Sequence, residues 1–118
     1  MKHLTLSAFC FLGLCVYGNC QQAGVVKDTI KTILENAKLK VVEYASTPGK
    51  DACGKGLHSH APHLTILLTD ALIRLTTKDG KEQDFDLKAG FVLWSEAETH
   101  MAINNGSKPV KAYLIEVK

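Results

Sequence analysis

The sequence predicts an all-β sandwich or barrel, and three observations carry that expectation. From Leu39 onward apolar residues recur with a period of two, the runs are rich in β-branched side chains, and turn chemistry interrupts them every eight to twelve residues. A short strand presents alternate residues to its two faces, so this pattern suits sheets packed face to face or closed on themselves.

The first twenty residues read as a signal peptide. Lys2 gives a positive start, Leu4 to Val16 is apolar, and small or polar residues follow at Gly18-Asn19-Cys20. The apolar run is too short for the roughly 20 residues of a spanning helix. Cleavage after Gly18 or after Cys20 suits the small-residue rule, with an uncleaved anchor and a lipid anchor at Cys20 as alternatives. The chain is therefore expected to be exported to the periplasm, the cell envelope or the exterior, with no membrane span. Removing residues 1–20 from the 118 leaves 98, one domain's worth. With Lys2 gone, 13 basic residues face 12 acidic ones, which gives no electrostatic case for nucleic acid or an anionic membrane. Cys10 and Cys15 leave with the signal and Cys20 leaves or carries lipid, so Cys53 is the one remaining thiol and no internal disulfide forms.

The elements follow in order. Val26, Ile30, Ile33, Leu34 and Ala37 recur at helical spacing, which predicts a helical lead-in over residues 21–38, with a poorly ordered lead-in as the alternative. The barrel is expected over 39–118, beginning with the alternation Leu39–Tyr44. Thr47-Pro48-Gly49-Lys50-Asp51 is turn chemistry, and Gly54 and Gly56 loosen the loop beyond it. Leu64–Thr69 and Leu72–Thr77 read as strands. Lys78-Asp79-Gly80-Lys81 is a hairpin signal leading into Glu82–Leu87. Lys88-Ala89-Gly90 turns the chain into Phe91–Ser95, and Met101–Asn104, the Asn105-Gly106 turn and Val110–Val117 complete the series. The expected interior comprises Val41, Leu64, Ile66, Leu68, Leu72, Leu75, Phe85, Leu87, Phe91, Leu93, Leu114 and Ile115.

Histidines carry the functional signal. His58, His60 and His63 lie within six residues, and His100 stands forty positions on. On a strand, His58 and His60 at i and i+2 share a face and can grip one ion. His63 lies past the Ala61-Pro62 kink, where parity no longer excludes it, and a barrel can bring His100 across. Neutral imidazole binds zinc, iron, nickel and copper, so the four predict a site for a divalent transition metal, either Fe, Ni, Cu or Zn. The ordinary alternative is a set of hydrogen-bonded surface histidines. Cys53, in the glycine-bearing loop just before the cluster, reads first as a free thiol, with a ligand or a redox switch as alternatives. Glu96 and Glu98 precede His100 and read either as exposed turn carboxylates or as groups that orient an imidazole. Phe91 and Trp94 read as core or interface aromatics.

These residues resemble the cupins. His58-Ser59-His60 is similar to the paired histidines of the first cupin motif, and the segment from Gly90 through Trp94 and His100 to Asn104 is similar to the second. Leu34-Glu35-Asn36, Pro48-Gly49, Lys88-Ala89-Gly90 and the ending Glu116-Val117-Lys118 resemble small bacterial cupins, so the similarity spans residues 34–118. Three departures stand out. The usual glutamate ligand is missing and His63 stands near its register; Glu96-Ala97-Glu98 replaces the usual Pro-x-Gly; Asp70 stands where glycine often follows. The resemblance implies a cupin double-stranded β-helix, or jelly-roll barrel, with metal ligands His58, His60, His63 and His100. It implies a small-molecule ligand or substrate, and a homodimer paired through its sheets. It leaves three readings of function: a metal-binding protein without assigned substrate, a metal-dependent dioxygenase or isomerase, and a non-catalytic module for a small ligand or sugar.

Overall fold

The structure is a computed structural model, and it describes residues 26–118. Among the described residues, nine antiparallel strands form two sheets. They are β1 (Thr29–Glu35), β2 (Leu39–Ser46), β3 (His58–His60), β4 (His63–Leu67), β5 (Ala71–Thr77), β6 (Glu82–Leu87), β7 (Val92–Ser95), β8 (Glu98–Asn104) and β9 (Val110–Val117). One sheet runs in the order β1-β2-β9-β4-β7 and the other in the order β3-β8-β5-β6. The sheets pack face to face. Leu67, Val110 and Ala112 of the first sheet meet Ala71, with Ile73 and Leu87 beside it, from the second.

The helix expected within residues 21–38 is corrected by β1. Residues 21–25 lie outside the described residues, residues 26–28 are irregular, and Thr29–Glu35 is a strand. A helix of that length needs a surface to receive its apolar face. All seven side chains of β1 are exposed, so that contact does not exist here. The open edge of β2 instead offers a hydrogen-bonding ladder, which β1 fills from Thr29↔Ala45 to Glu35↔Lys40 with one bulge between Thr32 and Leu34. Four β-branched residues, Thr29, Ile30, Thr32 and Ile33, suit that role. The Asn36 side chain closes the hairpin by accepting the amides of Lys38 and Leu39 at 2.8 and 3.0 Å.

The interior differs from the expected one mainly by parity. Leu75, Leu87 and Leu114 line it as expected, while Leu93 borders the same cavity but is 47 % exposed. In β2, however, the buried residues are Val42, Tyr44, Ala45 and Ser46, and in β4 the buried apolar residue is Leu67. Val41, Leu64 and Ile115 stand in one cross-strand row with Trp94, which is 48 % exposed, and so face outward; Ile66 shares that face beside Val92. Leu68, Leu72 and Phe91 are exposed. Continuous apolar runs such as Leu64-Thr65-Ile66-Leu67-Leu68 carry no alternation to fix their phase, and a slip of one residue inverts every assignment.

A buried amide ties the ends of both sheets together. Asn104, fully inaccessible at the end of β8, donates Nδ2–H to the carbonyls of Ser46 (3.1 Å) and Lys108 (2.9 Å) and accepts the Gly106 amide at Oδ1 (3.1 Å). Its backbone exchanges further bonds with the turn after β2, the Gly49 amide reaching its carbonyl and its own amide reaching Lys50. That turn needs Gly49, whose φ of +79° lies in the left-handed region.

Candidate metal centre

The site is built at the β3–β8 end of the smaller sheet. The register pairs His58 with His100 and His60 with Glu98, so all four side chains project from one face. The loop before β3 is anchored against β8 by a bond from the Ala52 amide to the Ala102 carbonyl at 2.7 Å and by the Asp51–Ile103 bridge. This anchoring delivers Cys53 to the same place. The Gly56 amide also binds the Asp51 carboxylate at 3.2 Å and narrows the loop.

Four donor atoms converge. His58 Nε2 and His60 Nε2 lie 2.8 Å apart, and Cys53 Sγ lies 3.5 Å from His58 Nε2 and 3.2 Å from His100 Nε2. Ligand atoms of all four residues fall within 4.8 Å of one another. Metal–nitrogen bonds of about 2.1 Å and a metal–sulfur bond of about 2.3 Å put neighbouring donors about 3.0–3.6 Å apart in octahedral or tetrahedral arrangements. These three spacings lie in or just beside that range and the remaining pairs lie within 4.8 Å, so the donor set suits a transition-metal ion.

Of the outer nitrogens, that of His58 is held by a hydrogen bond, while those of His60 and His100 only face carboxylates. His58 Nδ1 donates to the Gly56 carbonyl at 2.7 Å, which leaves the lone pair of Nε2 directed at the centre. His60 Nδ1 faces Glu116 Oε1 at 3.8 Å, and His100 Nδ1 faces Glu98 Oε1 at 3.3 Å, off hydrogen-bonding geometry. Glu98 is thus the carboxylate that addresses an imidazole. Glu96 does not share that role, because it accepts the Trp94 indole N–H at 2.8 Å.

Burial favours the neutral forms of His60, His100 and Cys53 in the absence of an ion. It depresses His60 to about 4, with help from His58, His100 and His63, and it lowers His100 against the opposing pull of Glu98. Burial also pushes the Cys53 thiol up to about 12, reinforced by Glu98 and Asp51. Neutral imidazole is the form that binds metal, and a bound cation reverses the balance at a thiol.

Of the four predicted ligands, the structure brings together His58, His60 and His100. His63 stands outside the converging set: its Nδ1 donates to the Ala61 carbonyl at 2.8 Å, its Nε2 faces Glu98 Oε1 at 3.8 Å, and its ring centre lies 4.9 Å from that of His60. The chain crosses from the smaller sheet to the larger between His60 and His63, so the Ala61-Pro62 kink separates His63 from the others. Cys53 takes the fourth place, and its only sequence signal was a position five residues before His58. Behind the cluster lies a cavity of about 120 Å³ with Cys53, His63, Ser95, Glu98 and His100 among its walls and Leu75, Leu93 and Leu114 on its apolar side.

The fold is that of the cupins, as similar solved structures show. A cupin domain from Bordetella pertussis Tohama I superposes with a TM-score of 0.69 at 24% identity, over 77% of this chain and 93% of its own. An RmlC-like cupin family protein with a double-stranded β-helix fold from Methanocaldococcus jannaschii gives 0.63 at 12% identity, over 81% and 84%. A cupin superfamily protein from Desulfitobacterium hafniense gives 0.58 at 16% identity, over 77% of each chain. No protein-family model and no curated protein sequence matches the chain.

Proposed function

We propose that this is an exported, small cupin-fold protein that binds one divalent transition metal ion through His58, His60 and His100. The convergence of three imidazole Nε2 atoms on one point beside a cysteine sulfur carries the reading. Iron, nickel, copper and zinc all suit a set dominated by imidazole, whereas magnesium and calcium favour oxygen donors. Export rests on the signal-peptide layout of Lys2, the apolar run Leu4 to Val16 and Gly18-Asn19-Cys20.

The test is elemental analysis of the purified protein beside a His58→Ala/His100→Ala variant. Near-stoichiometric metal in the parent and its loss in the variant are expected. A parent that stays metal-free after incubation with each ion would sink the proposal.

A catalytic reading, as a dioxygenase or isomerase acting on a small molecule, draws its support from the cavity behind the cluster. A bound metal there would supply Lewis acidity and open positions for substrate. The chamber is small and mostly apolar, with Cys53 and His100 of the cluster among its walls. The non-catalytic alternative, a small-ligand or sugar module, has only that same cavity behind it. For quaternary structure we propose a homodimer paired through the outer face of the larger sheet, where Trp94, Val92, Leu64, Ile66 and Ile115 form an apolar surface.

A further inference from the structure

Cys53 has two unlike surroundings. On one side it packs against the cluster of Val42, Tyr44 and Leu114. On the other, its sulfur meets the Nε2 atoms of His100 and His58 at 3.2 and 3.5 Å. A cysteine serving only as a small apolar filler needs no imidazole nitrogens at its sulfur, and a single weak S–H donor can satisfy just one of the two. Nor is its placement loose, because the Ala52 amide is bonded to β8 immediately before it. Next to it, a methyl group on Gly54 would fall 2.6 Å from His58 Nε2, so the chain at 53–54 follows the ring as closely as a backbone can.

We infer that Cys53 is the fourth protein donor of the centre, bound as a thiolate, and that the site therefore takes a thiophilic ion, zinc or copper, rather than manganese or magnesium. The inference rests on the metal reading above and specifies its coordination. As the metal–sulfur bond forms, the S–H bond breaks and its proton passes to water. His58 keeps its proton on Nδ1, bonded to Gly56. His60, which shares a proton with His58 across 2.8 Å, carries it on Nδ1 toward Glu116 once the ion is seated. A ligand set of three imidazoles and one thiolate carries a single negative charge, half that of a divalent ion.

Cobalt(II) is a suitable probe because its spectrum reports sulfur and nitrogen donors separately. The full chain loaded with cobalt is expected to show a near-ultraviolet thiolate-to-cobalt charge-transfer band as well as visible d–d bands. In Cys53→Ser the d–d bands remain and the charge-transfer band disappears. A parent with d–d bands alone, or a charge-transfer band that survives in Cys53→Ser, overturns the role of Cys53 and leaves the metal reading intact. A parent that takes up no cobalt and no zinc overturns both. Zinc-edge X-ray absorption on the unsubstituted protein gives an answer that does not depend on the variant folding: a sulfur shell at about 2.3 Å is expected, and a shell of nitrogen and oxygen alone refutes the assignment.

Discussion

Gly54 lies so close to the imidazole of His58 that a methyl group on its Cα would stand 2.6 Å from both Cδ2 and Nε2 of the ring. The missing side chain is what lets the loop press His58 into the centre while Gly56 holds the ring's far nitrogen. Gly54→Ala is expected to turn the ring away from His60 and to weaken metal binding about 10–100-fold, as losses in the supporting layer of metal sites generally do. Competition against a chromophoric chelator measures this. An unchanged affinity would show that the loop can retreat without moving the ring.

Asn104 predicts a stability effect remote from any chemistry. Asn104→Ala would leave the buried Ser46 carbonyl without its partner, at about 1–3 kcal/mol, and the part-buried Lys108 carbonyl and Gly106 amide to find water. A loss of about 1–3 kcal/mol in chemical denaturation is expected. A loss below about 1 kcal/mol would mean that water replaces the amide at all three positions.

The metal-free protein should lose stability on mild acidification. His60 is depressed to about 4 in the folded chain but titrates near 6.5 when unfolded, so between those values the unfolded chain binds the extra proton. Its contribution is fully present above pH 6.5 and fades as the pH falls toward 4. The total is about 3 kcal/mol. Denaturation in chelator across that window should show the slope in the parent and a shallower one in His60→Gln. Equal slopes would assign the acid sensitivity to other groups.

The outer face of the larger sheet predicts association. Trp94→Lys, placed in the row Val41, Ile115, Leu64 and Trp94, is expected to convert a dimer to a monomer in sedimentation or light scattering without altering metal uptake. A parent that is monomeric at high concentration would refute the pairing.

Much of the fold was legible in residue order. The strands from Leu72 onward stood out because turns flank them and their periods are short, and the Asp79-Gly80 hairpin formed where its chemistry implied. β1 was not legible, because Ile30, Ile33 and Leu34 mimic a helical stripe and only the free edge of β2 makes a strand of them. The phase of β2 and β4 was hidden by unbroken apolar runs. At the site, period two placed His58 and His60 together. The sheet change at Ala61-Pro62 that separates His63 is a property of topology, which local spacing does not encode. Cys53 was weakest of all, since a single thiol in a loop has no period to reveal its direction.

β3 is three residues long, lies at the edge of its sheet and pairs only with β8, yet it supplies two of the four converging donors. A segment so short has little cooperativity of its own, and cross-linking Cys53, His58 and His60 to His100 through one ion would merge it with the folding unit of its neighbour. Amide hydrogen exchange over residues 51–60 would then serve as an occupancy gauge, slow with the ion in place and fast after chelation, while exchange in β9 stays the same.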